Sequence, residues 1–207
     1  MARRRDDRID HAVLAAVSEL VREVGYSALT MEAIATRAGT TKPAIRRRWR
    51  SQQQLVVAAM ARDRVGVVEI DTGCVHCDIV GHLDALRAGL ADPALSRVLP
   101  GLLADLADDP QLREEFLAVV WEPRRQACLV SLRGAQERGE LNQLGDLDLL
   151  MDLFAGPIVF RALFHPAEMG PDFAELVTHA VLAGVGGAET PHCTNAAGRL
   201  TRPASGR

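Results

Sequence analysis

Lysine is almost missing from this chain. Of its 24 basic residues only Lys42 is lysine, and all the others are arginine. Arginine presents a flat, two-pronged set of donors suited to phosphate and to guanine edges. The same bias also follows from a GC-rich genome, so it carries functional meaning only where arginines cluster. Aromatic residues are scarce as well, at 4%. The core must therefore be built mostly from Ala, Leu and Val, a mix that suits helices far better than sheets. Four unevenly spaced cysteines in 207 residues exclude a disulfide framework. No apolar run approaches the roughly 20 residues a spanning helix needs. The longest, 154–160, is interrupted by Gly156 and Pro157 and ended by Arg161, and the N-terminus is charged through Asp10. A cytoplasmic protein with no membrane association is expected. The chain has no GxSxG, HExxH, glycine-rich phosphate loop or EF-hand pattern. No enzymatic activity, catalytic residue or cofactor is therefore expected.

What is present divides the chain in two. Hydrophobic residues make up 48%, ample for a packed core, and the net charge of −3 hides an asymmetry. Residues 1–50 hold eleven Lys/Arg against six Asp/Glu, and residues 51–207 hold thirteen against twenty-one. A basic head on an acidic body points to a polyanionic partner for the head alone. The fold class expected is all-α: an N-terminal three-helix helix-turn-helix domain over 1–52, with a flexible basic arm at 1–6. A helical effector-binding and dimerisation domain follows over 53–185, and then a disordered tail over 186–207.

In the head, Ile9, Val13, Ala16, Val17, Leu20 and Val24 recur at helical spacing and predict a first helix over 7–24 that Gly25 stops. Thr30 is a good N-cap for a second helix, with Glu32 in its first turn, and Gly39 ends it. Thr41 caps a third helix over 41–49, where Pro43 falls in the first turn at no hydrogen-bonding cost. Ile45 and Trp49 should pack inward. That leaves Lys42, Arg46 and Arg50 on one outward line, flanked by Arg47 and Arg48. So many arginines on a short helix repel one another unless an anion is near, which favours a nucleic-acid surface over a merely solvated face. Ser51 caps a fourth helix running to about Val68, an unbroken link from head to body.

The body reads as helices over 77–91, 93–107, 110–137, 146–164 and 171–184, separated by Asp-Pro and Gly-Pro turn signals. Leu149, Leu153, Phe160, Leu163 and Phe164 on one helix, with Phe173, Leu176, Val177, Ala180 and Val181 on the next, form an apolar seam expected at a dimer interface. Phe116, Val120, Trp121, Arg124, Met151, Phe154 and Arg161 are candidates to line a ligand pocket, since a ring and a cation can hold an apolar anion. Cys74 and Cys77 have CxxC spacing with His82 nearby. Structural zinc wants four ligands and no matching pair exists, so no metal site is assigned.

Gly25-Tyr26, the segment MEAIATRAG at 31–39, TKPAIRRRW at 41–49, Ser51 and Leu55-Val56 occur in an order that resembles the TetR-type transcriptional regulators. In the body, GPIVFRALF at 156–164 and DPALSRVLPGLLADLADDPQLREEF at 92–116 are similar to one actinobacterial-style branch of that family. The resemblance implies a homodimeric repressor that places its third helix in the major groove of a palindromic double-stranded DNA operator. A small effector, hydrophobic in character on composition, would release it. It also implies that Thr30 meets phosphate, that Thr40, Thr41, Lys42 and Arg46 face the groove, and that Arg47, Arg48 and Ser51 lie along the backbone; Pro43 and Arg50 complete the candidate DNA-binding set. The chain departs from the family pattern in having Arg46 where an aromatic is usual, Arg50 where Pro is common and Gln52 where Lys is common. Two other readings stand beside this one: a thiol- or metal-responsive regulator acting through Cys74 and Cys77, and a helical adaptor with no DNA role.

Overall fold

The computed structural model describes residues 7–63, 67–141 and 146–184. The basic arm at 1–6 and the tail at 186–207 lie outside these residues. Within them every regular element is a helix, with no strand.

The head is α1 (Asp7–Val24), α2 (Met31–Arg37) and α3 (Lys42–Arg46), followed by α4 (Gln52–Arg62). Local chemistry sets each start. Thr30, Thr41 and Ser51 stand in extended conformation, and each side-chain oxygen accepts from a backbone N–H three residues on: Ala33 at 3.1 Å, Ala44 at 3.3 Å and Gln54 at 3.1 Å. Gly25 and Gly39 turn the chain at φ +81° and +62°, a region other residues avoid. Val13, Val17, Ile34, Ile45, Trp49 and Leu55 are buried and make one small core.

The third helix is shorter than the 41–49 expected. It ends at Arg46, and a tight turn follows in which Arg48 N–H donates to Ile45 O at 2.8 Å. The fourth is shorter too. It ends at Arg62 and not near Val68, and Asp63 closes it by donating to Ala59 O. From 67 to 74 the chain is non-helical because tertiary contacts outweigh another helical turn. Ile70 O accepts from Ser131 Oγ at 3.1 Å, and Thr72 donates through N and Oγ1 to Asp78 Oδ1 at 2.8 and 2.6 Å. An unbroken helical link between head and body is therefore not what connects them.

The body consists of α5 (Val75–Ala91), α6 (Pro93–Asp108), α7 (Pro110–Phe116), α8 (Glu122–Glu137), α9 (Leu147–Phe164) and α10 (Phe173–Gly184). A π-helical turn, Leu117–Trp121, joins α7 to α8. Pro123, which follows it, has no N–H to give the carbonyl four residues back, and widening the preceding turn accommodates that loss. The core of the body is aliphatic, centred on Ile79, Leu102, Leu112, Leu129, Leu132, Phe154 and Ile158, as the shortage of aromatics requires. No described helix is long and apolar enough to cross a membrane.

Candidate nucleic-acid interface

The second and third helices make the outer edge of the head. Arg37 ties α2 to α1 through a two-pronged contact with Glu23, at 2.8 and 2.7 Å, and a further contact to Glu19. That guanidinium holds the Glu23 carboxyl below the usual carboxylate range. Lys42, at the start of α3, pairs with Glu32 of α2 and pulls its carboxyl down in the same way. The angle between α2 and α3 is thus set by buried Ile34 and Ile45 within and by this ion pair without.

The arginines around α3 do not behave alike. Arg46 and Arg47 are exposed and make no ion pair or hydrogen bond among the described residues. Arg48 turns back beneath the helix, where it forms an ion pair with Asp10 of α1 at 2.6 Å with both side chains largely covered. Its Nη1 also donates to Ala44 O. Arg50 points to the body. It donates to Gln111 Oε1 at 2.8 Å and lies 3.3 Å from Asp109, whose carboxyl is held low by the backbone N–H of Leu112 and then by the Arg50 charge. The outward line of Lys42, Arg46 and Arg50 is therefore broken at its last member. The turn after Arg46 rotates Arg50 off the helical register, and an acid on the body holds it there. Thr30, Thr41 and Pro43 are exposed on the same edge as Arg46, with Thr40 and Ser51 partly covered.

Further contacts join head to body. The Tyr26 hydroxyl donates to Asp105 of α6, with the ring lying on Gly101, and burial together with that carboxylate pushes the phenol well above its ordinary range. Gln54 Nε2 donates to both oxygens of Glu115, at 3.1 and 2.9 Å. Nothing local announces these pairs. Tyr26 and Asp105 are 79 residues apart.

The expected pocket residues separate. Val120, Met151 and Phe154 are buried in the core with Phe116 packed against it, and Trp121 and Arg124 are half-buried. Burial lowers the Arg124 pKa, and its Nη1 donates to Val120 O at 2.9 Å. Arg161 lies elsewhere: it stacks over the Phe173 ring at 4.1 Å and donates to Glu168 O at 2.7 Å. On the expected seam, Leu149, Leu153, Phe160, Phe164, Leu176 and Ala180 are exposed, with Leu163, Phe173 and Val181 partly so. Val177 is the exception. It is buried, because it faces inward with Ala174 and Thr178. Cys77 carries a free thiol that burial and neighbouring Asp78 push upward, away from a reactive thiolate. Among the described residues no group of three or more His, Cys, Asp or Glu is placed to hold a metal ion.

Comparison with known proteins matches both halves. Residues 13–59 fit the model of bacterial regulatory proteins of the tetR family, and residues 69–181 fit a tetracyclin repressor-like C-terminal domain. The HTH-type transcriptional regulator YdeS of Bacillus subtilis is 31% identical over 86% of this chain and 90% of its own length. A DNA-binding transcriptional repressor TetR of Mycobacteroides abscessus is 27% identical over 72% of this chain and 80% of its own. The crystal structure of the TetR family transcription regulator SCO0332 superposes with a TM-score of 0.72 at 26% identity, covering 86% of this chain and 98% of that one.

Proposed function

Because the chain belongs to the TetR family of DNA-binding transcriptional regulators, whose members act through DNA binding and not as enzymes, we propose that it is a homodimeric repressor. It holds a palindromic operator through α3 and releases it when a small apolar effector binds. The observation that carries this reading is the edge formed by α2 and α3. There Arg46 and Arg47 stand exposed and unpaired among the described residues, while the neighbouring cations are engaged within the chain. Arg46 replaces the aromatic usual in the family and can reach a phosphate or a guanine edge. Thr30, Thr41 and Pro43 lie beside it as further contacts.

Family members generally act as dimers. Here the apolar face of α9 and α10 supports the same arrangement. Phe164 and Leu176 leave 69% and 65% of their surfaces exposed, Leu149 and Phe160 more than half, and Phe160 and Phe164 pair ring to ring at 5.0 Å. So continuous an apolar face is expected to be covered. Two copies joined there would present two α3 helices to successive major grooves, about 34–36 Å apart. Repression is the sense carried by the name of the M. abscessus relative. The reading is tested by selecting bound duplexes from random DNA with the purified protein. A palindromic consensus that is lost when Arg46 and Arg47 are changed to Ala is the expected result. Enrichment of no sequence by ligand-free protein would refute it.

A further inference from the structure

A cavity of about 130 Å³ lies between head and body. Its walls are Val17 and Val21 of α1, Val56 and Met60 of α4, and Leu95 and Val98 of α6, and the end of α5 closes over it at Ala88 and Gly89. None of the residues expected from sequence to hold a ligand contributes to it. The walls are apolar and the rim is polar. Ser18 Oγ donates to Asp63 Oδ2 at 2.7 Å, Arg62 pairs with the other oxygen of that carboxylate, and Asp92 and Arg22 complete the edge.

We propose that this cavity is a binding site for a compact, uncharged, single-ring molecule carrying one hydrogen-bond donor, and that filling it weakens DNA binding. The proposal rests on the reading of the chain as a DNA-binding regulator. Size sets the ligand class, since a cavity of about 150 Å³ with comparable aliphatic walls accommodates one benzene ring. The rim sets the polarity. Two carboxylates, Asp63 and Asp92, line it against the single guanidinium of Arg22, a balance that favours a donor such as a hydroxyl over an anion.

The position of the cavity makes it a control point. The contacts that fasten α6 and α7 to the head, Tyr26 with Asp105 and Gly101, Arg50 with Asp109 and Gln111, and Gln54 with Glu115, all lie in the second half of α6 or beyond it. The cavity opens at the start of α6, beside Leu95 and Val98. The helix is thus fastened to the head at one end and spaced from it at the other. A ligand wedged into the gap tilts the head about the fastened end. Arg48–Asp10 and Arg37–Glu23 hold α3 and α2 on α1, so the whole DNA-facing edge moves with it. A change in the separation of two such edges in a dimer penalises simultaneous entry into both grooves.

The test uses the full chain and phenol, with benzoate as the charged control. Saturable phenol binding at millimolar or lower concentration, by calorimetry without DNA, is expected, and benzoate should not compete. Ala88→Leu fills the cavity from its exposed rim and Ala59→Met fills it from α4, and either should abolish phenol binding. Unchanged binding in both variants, or none in the wild type, overturns the site. Saturating phenol should weaken binding to a selected operator by about 5- to 150-fold, and an unaltered operator affinity overturns the coupling. A protein that binds no operator at all refutes the DNA-regulator reading instead, since the phenol titration is independent of DNA.

Discussion

Five cationic side chains crowd residues 42–50, yet only some of them are available to DNA, and salt dependence separates them. Each phosphate contact to B-DNA contributes about 0.9 to the slope of log affinity against log salt. In a two-fold complex every substitution occurs twice, so Arg47→Ala should reduce the magnitude of the slope by about 1.8. Between about 50 and about 200 mM salt, a fourfold range, that difference compounds to about 12-fold. Wild-type affinity should therefore fall about 12-fold further than that of the variant across the same range. Arg50→Ala should leave the slope close to that of the wild type, because Arg50 is committed to Asp109 and Gln111. Its loss should register instead as weaker attachment of head to body. Fluorescence anisotropy with a labelled operator at four or five salt concentrations reads all three proteins. A slope reduced as much by Arg50→Ala as by Arg47→Ala would mean that Arg50 leaves Asp109 to meet phosphate, and the division of labour argued from the structure would be wrong.

Three other perturbations have definite outcomes. Gly101→Ala places a Cβ 2.6 Å from Tyr26 Cδ1, and the ring is buried and tied to Asp105. Overpacking should outweigh the gain in helix propensity for a net loss of about 1 kcal/mol in urea unfolding, whereas Gly134→Ala, which meets only the end of Arg138, should be neutral or stabilising; equal effects would argue against the close packing. Burial holds the His82 pKa below its ordinary value, so the unfolded chain takes the proton first. The stability contributed by neutral His82 is present above about pH 6.5 and declines as pH falls through that value, and His82→Gln should flatten the profile there unless the ring is already protonated in the folded protein. Phe164→Asp combined with Leu176→Asp should yield a folded monomer by light scattering, and a persistent dimer would move the interface away from α9 and α10.

Much of the head was legible because its signals are local. A cap needs a side-chain oxygen three residues before the N–H it serves, a left-handed turn needs glycine, and an amphipathic stripe repeats every three to four residues. Thr30, Thr41, Ser51, Gly25 and Gly39, and the buried pair Ile45 and Trp49, follow those rules. The helices of the body were legible for the same reason. The end of α4 was not, because its apolar composition favours continuing and only contacts of Ile70 and Thr72 with α5 and α8 oppose it. The inward turn of Val177 was not legible either, because a helix apolar on most sides does not declare which stripe faces its own core.

The sequence by itself determined an all-α chain, the helix-turn-helix with its arginines, and membership in a family of DNA-binding regulators, because periodicity, capping and motif order are properties of neighbours along the chain. Only the tertiary structure decided which arginines stay outward, which acids claim Arg48 and Arg50, how Tyr26 meets Asp105, and where a gap is left between head and body. Those are meetings of residues tens of positions apart. Their partners are selected by the path of the backbone through space, which no local pattern of side chains specifies.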